Sequence, residues 1–321
     1  VNRFVRGAAL ALALIGIGAT RASFGQTDDT VIHAAGSLTD STTPLLYADK
    51  AGLFTRAGLK VEVERFTTGA SIATAVSGGT LQIGQFNMFG LVLAHGKGLP
   101  FSLIAPGSEY RSDSPDGGLL VLSTSPLHTA KDFNGKTIGA LSLQDLSTFA
   151  MESWMDANGG DSKTLRFVEV PQPLVMPALE QGRVDAASAS QPIFGEALGT
   201  GRFRVGAYTQ SAIAPRWQAT AWYARADWID QHRALAQKFV AVMHEANLYV
   251  NAHPAETLPL IAAYLGVEPE KLAKIHRAAE AEYLDPRSIQ PVIDVAAKYK
   301  ALAAPFPAQE LINAVALKPP R

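Results

Sequence analysis

Apolar and polar positions along this chain change period repeatedly. Leu59-Lys60-Val61-Glu62-Val63-Glu64 alternates residue by residue, the pattern of a strand with one buried face. Pro44, Leu45, Leu46, Ala48 and Leu53 instead recur at helical spacing and predict a helix with one apolar face. Short apolar runs at 31–35, 101–105, 118–123, 136–140, 166–170, 204–207 and 219–224 read as further strands. Helices are expected near 71–77, 149–157, 172–181 and 192–198. Tyr110 to Gly118, rich in Ser, Asp, Pro and Gly, reads as a loop. Beyond Asp227 the pattern is helical, with segments at 227–250, Pro254–Leu265, Pro269–Ala281, Ser288–Ala303 and Ala308–Ala314. Strands alternating with helices argue a mostly parallel sheet covered by helices.

One pattern occurs twice. Ala75-Val76-Ser77-Gly78-Gly79-Thr80-Leu81-Gln82-Ile83-Gly84 reads as a helix end, a Gly turn and a strand. Ala178-Leu179-Glu180-Gln181-Gly182-Arg183-Val184-Asp185-Ala186-Ala187 reads the same way. The offset is about 103 residues, the length of one small α/β domain. Two similar α/β lobes follow, and a cleft between lobes is a favoured place for a small ligand.

Composition narrows the class. The sequence has 321 residues, enough for two domains. Its 28 Lys and Arg against 29 Asp and Glu leave no basic footprint, so no nucleic-acid partner is expected. Arg3 and Arg6 precede an apolar run from Ala8 to Ala19, then Ala22, Ser23 and Gly25. That is the layout of a secretory signal. The run of about 12 residues is short for a bilayer span. Residues 1–25 are therefore expected to be a signal peptide, with cleavage after Ala22 or Gly25. Without any cysteine the chain has no disulfide and no Cys for lipid attachment, so a free periplasmic monomer is expected.

Pro44-Leu45-Leu46-Tyr47-Ala48-Asp49-Lys50-Ala51-Gly52-Leu53-Phe54, followed by Ala57-Gly58-Leu59-Lys60-Val61-Glu62, resembles the opening of a periplasmic substrate-binding protein. Gly78 to Gly84, Lys131-Asp132-Phe133-Asn134-Gly135-Lys136-Thr137-Ile138-Gly139 and Gln181 to Ala187 resemble later landmarks of that family, in order. The group it most resembles binds nitrate, aliphatic sulfonates, taurine and thiamine-pyrimidine precursors (SsuA/TauA-like), and the resemblance spans roughly 30 to 260. It implies an α/β fold of two doubly wound lobes joined by two crossings, of the type II binding-protein kind, with extra C-terminal helices. Lobe 1 would comprise 27–123 plus 219–321, and lobe 2 would comprise 124–218, the first crossing lying near Ser123–Ser125. The resemblance further implies hinge closure on a ligand and delivery to an ABC permease of the inner membrane. At Ser190-Gln191-Pro192, family members often carry an acid before the Pro. Neutral Gln191 would take a negative charge out of the cleft.

In open α/β sheets, ligands sit beyond the carboxyl ends of the strands. That rule selects Ser37, Leu38, Thr39, Thr68, Gly69, Ser71, Phe86 and Asn87 in lobe 1, and Ser142, Ser147, Thr148 and Gln191 in lobe 2. Gly69-Ala70-Ser71 and Ser147-Thr148 would open helices whose free N–H groups favour an anion. Plain helix capping is the competing reading for Ser71 and Ser147, and more strongly for Asp145. Trp217 is either a cleft wall or a surface aromatic, and Arg111 a cleft-edge or solvated Arg. The repeat pairs Asn87 with Ser190 and Met88 with Gln191. A small organic anion, such as a sulfonate or carboxylate, is the expected ligand.

No catalytic residue, cofactor or metal is expected. Seven scattered histidines show no metal-ligand spacing, and His33, on a strand, reads as a packed core or loop-edge residue. His244-Glu245 lacks the second His of a zincin helix, and no phosphate loop is present. The alternative is an enzyme on the same scaffold, related to pyrimidine or menaquinone precursor synthesis. The pyrimidine-making relatives use a Cys-rich segment that this chain lacks.

Overall fold

The computed structural model describes residues 30–66, 68–141, 143, 146–273 and 276–318. The expected signal peptide lies outside the described residues.

Val31–Gly36 (β1), Lys60–Arg65 (β2), Ile83–Asn87 (β3) and Phe101–Pro106 (β4) alternate with helices, as the periodicity predicts. Ser108–Arg111 (β5), Gly117–Leu122 (β6), Thr137–Ala140 (β7), Arg166–Glu169 (β8), Ala186–Ser190 (β9) and Phe203–Ala207 (β10) follow. Arg216–Gln218 (β11), Thr220–Arg225 (β12) and Ala279–Glu280 (β13) come last.

Two five-stranded sheets result, in the orders β2-β1-β3-β12-β4 and β8-β7-β9-β6-β10. Each has a parallel trio followed by one antiparallel strand and a last strand. The antiparallel member is borrowed in both. β12 arrives in the first sheet after the chain has built the second, and β6 enters the second directly from the first. A third, small sheet runs β11-β5-β13. Its strands β5 and β11 directly precede those two borrowed strands, so the outgoing and returning connections are paired side by side.

The doubled pattern is a real structural repeat. Thr80 N donates to Ala75 O at 3.0 Å, and Arg183 N donates to Ala178 O at 2.9 Å. Gly79 and Gly182 sit between them at φ of 79° and 64°, the left-handed region that glycine enters at low cost. Even the next tertiary bond repeats: Gln82 N donates to His33 O and Asp185 N to Thr137 O, at 3.0 and 2.9 Å.

Three expectations are corrected. β6, expected to end the first lobe, is hydrogen-bonded into the second sheet between β9 and β10. Its Leu119, Leu120 and Val121 are buried on both faces, and such a uniformly apolar strand carries no mark of which sheet it will join. The chain therefore enters the second sheet before Gly117, not near Ser123–Ser125. Ser108–Arg111, at the start of the expected loop, is a strand because β11 and β13 supply its partners. The helix expected over Pro269–Ala281 stops at Leu272, and Ala279–Glu280 pairs with β5 instead.

Helices cover both faces of each sheet. Ile32, Ala34 and Trp222 pack with Leu45, Phe239 and Met243 on one face of the first sheet. Ile72, Val76, Leu91, Ile289 and Ile293 pack on the other. The second sheet lies between a cluster around Val175, Leu179 and Phe194 and one around Phe133, Met151 and Met155. The extra C-terminal helices are Ala226–Gln231, Arg233–Ala252, Pro254–Leu265 and Pro286–Lys298. Among the described residues no helix is long and apolar enough to cross a membrane.

Candidate functional site

β1, β2 and β3 are parallel, so their carboxyl ends share one edge of the first sheet. β1 runs into Ser37, Leu38 and Thr39. The Ser37 carbonyl accepts from Thr39 N at 2.7 Å and from Thr42 Oγ1 at 2.6 Å, which turns the loop back on itself. Beneath it Gln85 is fully buried. Its amide nitrogen donates to Ser41 O at 2.7 Å, and its oxygen accepts from Ser41 Oγ and Thr42 Oγ1 at 3.3 and 3.4 Å. Asp40 closes the loop from the far side. Arg277 Nε donates to both its oxygens at 2.8 and 2.9 Å, and Ala278 N donates at 2.6 Å.

The next two strand ends open helices. Thr68 caps Gly69–Ser77, its Oγ1 accepting from Ser71 N at 3.2 Å. Ser71 Oγ donates back to Thr68 O at 2.7 Å. Asn87 caps Met88–Gly96 by accepting from Gly90 N at 2.7 Å. Capping thus occupies Thr68, Ser71 and Asn87 in this state. Phe86 lies between the two helix starts. A Cβ on Gly69 would fall 2.0 Å from Phe86 Cδ2, and one on Gly90 would fall 2.4 Å from Cε1. Only glycine at both positions lets the ring lie flat against the backbone on each side.

In the second sheet β7, β8 and β9 also end on one edge. Leu141 and Leu143 follow β7 and are more than half exposed, at 55% and 51%. Leu143 N reaches Glu169 Oε1 at 3.4 Å. Ser142 lies outside the described residues. Ser147 is half-buried and Thr148 buried in the first turn of Leu146–Ala157. The next residue, Phe149, stands 5.0 Å from Phe89, centroid to centroid. Since Phe89 lies two residues past Asn87, the opening turns of these two helices meet. Gln191 follows β9. Its Oε1 accepts from Gly195 N at 3.2 Å, and its N–H donates to Asp116 O at 3.1 Å.

Asp116 was not read from the sequence, and it changes the charge of the region. It lies on the connection from β5 to β6, beside Gln191. The residue is exposed, yet the protein packed near its carboxyl raises it above the usual range, with the charge of Asp40 adding and that of His276 opposing. The acid absent before Pro192 thus has a counterpart on this connection, whose backbone carbonyl Gln191 N–H reaches. His276 Nε2 is in hydrogen-bond contact with Ser114 Oγ on the same connection. Arg111 pairs with Asp113 at 3.4 Å. Trp217 is neither cleft wall nor surface residue: it is buried and stacked on Tyr110 at 5.3 Å.

Asp116 and His276 are 160 positions apart in a Pro-Asp-Gly-Gly turn and a C-terminal segment, so no local spacing links them. Gln85 did carry a signal, as a polar residue inside the apolar strand Ile83-Gly84-Gln85-Phe86. A cavity of about 790 Å³ opens beside the small sheet, lined in part by Glu109, Arg216, Asn251, Arg277 and Glu280. It includes none of the residues expected to hold ligand.

Comparison with known proteins agrees with this architecture. The family model described as NMT1/THI5 like matches residues 39–257. No curated protein matches the sequence. The periplasmic aliphatic sulphonate binding protein SsuA from Escherichia coli is similar in structure, with a TM-score of 0.73 at 17% identity, covering 88% of this chain and 97% of that one. The alkanesulfonate-binding protein SsuA from Xanthomonas axonopodis pv. citri, bound to MOPS, gives 0.65 at 17% identity over 89% and 96%. The desulfurization enzyme DszB gives 0.64 at 17% identity over 88% and 96%. At these identities the likeness is one of fold: two α/β lobes of the periplasmic binding protein kind.

Proposed function

The chain belongs to the NMT1/THI5-like family, and on that premise we propose that it is the solute-binding component of an ABC importer. It is exported to the periplasm by its N-terminal signal and works there as a monomer. Lobe 1 consists of the first sheet with the C-terminal helices, and lobe 2 of the second sheet. A small organic anion is held between them, and the lobes close on it because the closed state makes contacts the open state lacks.

One observation carries this reading. Leu146–Ala157 and Met88–Gly96, one from each half, bring their first turns together at Phe149 and Phe89. Helix N-termini present unpaired N–H groups and a positive field, and two converging ones favour an anion. Thr68, Gly69, Ser71, Phe86 and Asn87 would form one wall, and Ser142, Ser147, Thr148 and Gln191 the other, with Ser37, Leu38 and Thr39 along the rim.

The likeness to DszB supports an enzymatic reading on the same scaffold. The variant of that enzyme crystallised with biphenyl-2-sulfinic acid is a cysteine-to-serine mutant, whereas this chain has no cysteine. We therefore favour binding without turnover.

The test is a thermal-shift screen of refolded, solute-free protein against sulfonates, taurine, nitrate, carboxylates and pyrimidines. A ligand at 100 times its Kd adds about 2.7 kcal/mol of stability, which shifts Tm visibly. Silence from every anion would sink the proposal, and conversion of any compound would replace it with the enzyme.

A further inference from the structure

We propose that His33, Glu62 and Glu64 form a binding site for a divalent transition metal, best suited to Zn²⁺, on the outer edge of the first sheet. The site is independent of the ligand cleft and of any transport role.

The parallel register of β1 and β2 builds it. His33 is the direct partner of Glu62, and Ala35 that of Glu64. Side chains alternate faces along a strand, so all three residues project from the same face. Ile32, Ala34, Val61 and Val63 point the other way, into the core. The three side chains are thus set by rigid backbone, although no local sequence spacing announces them.

The donor atoms converge. His33 Nδ1 stands 3.1 Å from Glu64 Oε1 and 3.5 Å from Glu62 Oε2. One ligand atom from each residue lies within 4.8 Å of the others. Donors bound to a tetrahedral Zn²⁺ at about 2.0–2.1 Å sit about 3.4 Å from each other. The two separations straddle that spacing, so an ion fits between the donors after small side-chain shifts. A lone imidazole N–H fits less well, since one donor faces two carboxylates and leaves their mutual repulsion in place. Neutral imidazole with two carboxylates carries a charge of minus two, which a divalent ion cancels. One imidazole with two carboxylate oxygens is a borderline donor set that suits Zn²⁺, with water completing the shell. All three side chains keep solvent access, at 34%, 62% and 45% for His33, Glu62 and Glu64, so the ion has an entry path.

The ion would bridge the edge strand β2 to β1. Its test is calorimetric titration of Zn²⁺ into the tag-free, chelator-treated chain, with Tm measured alongside. One Zn²⁺ per chain is expected, with a rise in Tm. His33→Gln and the double variant Glu62→Gln/Glu64→Gln should each weaken binding at least tenfold and lose the Tm response. Co²⁺ should give visible absorption in the parent that both variants lack. Circular dichroism of the variants should match the parent, because none of the three side chains is in the core. Absence of binding up to millimolar Zn²⁺ overturns the proposal. So does binding that survives in both variants, which would place the metal elsewhere.

Discussion

The two five-stranded sheets share one strand order, yet the edges at the carboxyl ends of their parallel strands are finished differently. At the first edge nearly every polar group is tied within its own lobe. Gln85 holds Ser41 and Thr42, Arg277 holds Asp40, and Thr68 and Asn87 cap their helices. At the second edge, Leu141, Leu143 and Leu174 stand exposed beside polar ties at Gln172 and Gln191, and the tie of Leu143 to Glu169 is long, at 3.4 Å. The same scaffold thus carries one pre-set polar wall and one wall with exposed apolar side chains. In a protein that closes on its ligand, the pre-set wall can fix orientation. The apolar wall gains most from losing water on closure.

The comparison is broken most severely at Gly69. Gly69→Ala drives a methyl into Phe86, and the overpacking should cost about 1–3 kcal/mol, read by chemical denaturation, together with loss of ligand affinity. Gln85→Met comes next. It strands the Ser41 and Thr42 groups and should cost about 1–3 kcal/mol. Thr68→Ala removes one cap, for about 1 kcal/mol. Leu141→Ser should sharpen the contrast by leaving stability within about 0.5 kcal/mol while weakening ligand binding. If Leu141→Ser destabilised the fold as much as Gln85→Met, the contrast between the walls would be lost.

The small sheet beside the connections adds a pH test. Glu280 is buried, and among the described residues neither carboxylate oxygen has a partner. Burial pushes its carboxyl well above the usual range, Asp40 adding and Arg277 opposing. A raised carboxyl favours the protonated folded state, so stability is fully present below the unfolded pKa. It is lost as pH rises through the folded value. Glu280→Gln should therefore be more stable than the parent at neutral pH, and the gap should close below the ordinary Glu range near pH 4.5. A constant gap across that window would remove Glu280 as the cause.

Much of the fold was legible because periodicity is local. The strand Lys60–Arg65 alternates, and Gly79 and Gly182 mark equivalent turns. What escaped was long-range. β6 is apolar on both faces, so its sheet was unreadable. β5 and β13 exist through pairing with each other, not through propensity. For the site, strand ends pointed to Ser37, Thr68 and Asn87, and caps could be named from Ser, Thr and Asn alone. Asp116 and Arg277 act through partners far along the chain, and only the fold brings those partners near.

The position of β12 has a consequence for how the chain is made. It lies between β3 and β4, flanked on both sides by strands synthesised more than a hundred residues earlier. As the chain emerges from N- to C-terminus, the first sheet therefore has a vacancy at its fourth place until Thr220–Arg225 arrives. The second sheet takes β6 through β10 in one uninterrupted stretch and waits for nothing. The half that begins first finishes last, so a nascent chain stays incompletely folded late into synthesis. Under the export proposed above, that delay keeps the chain in a form that can be threaded through a membrane.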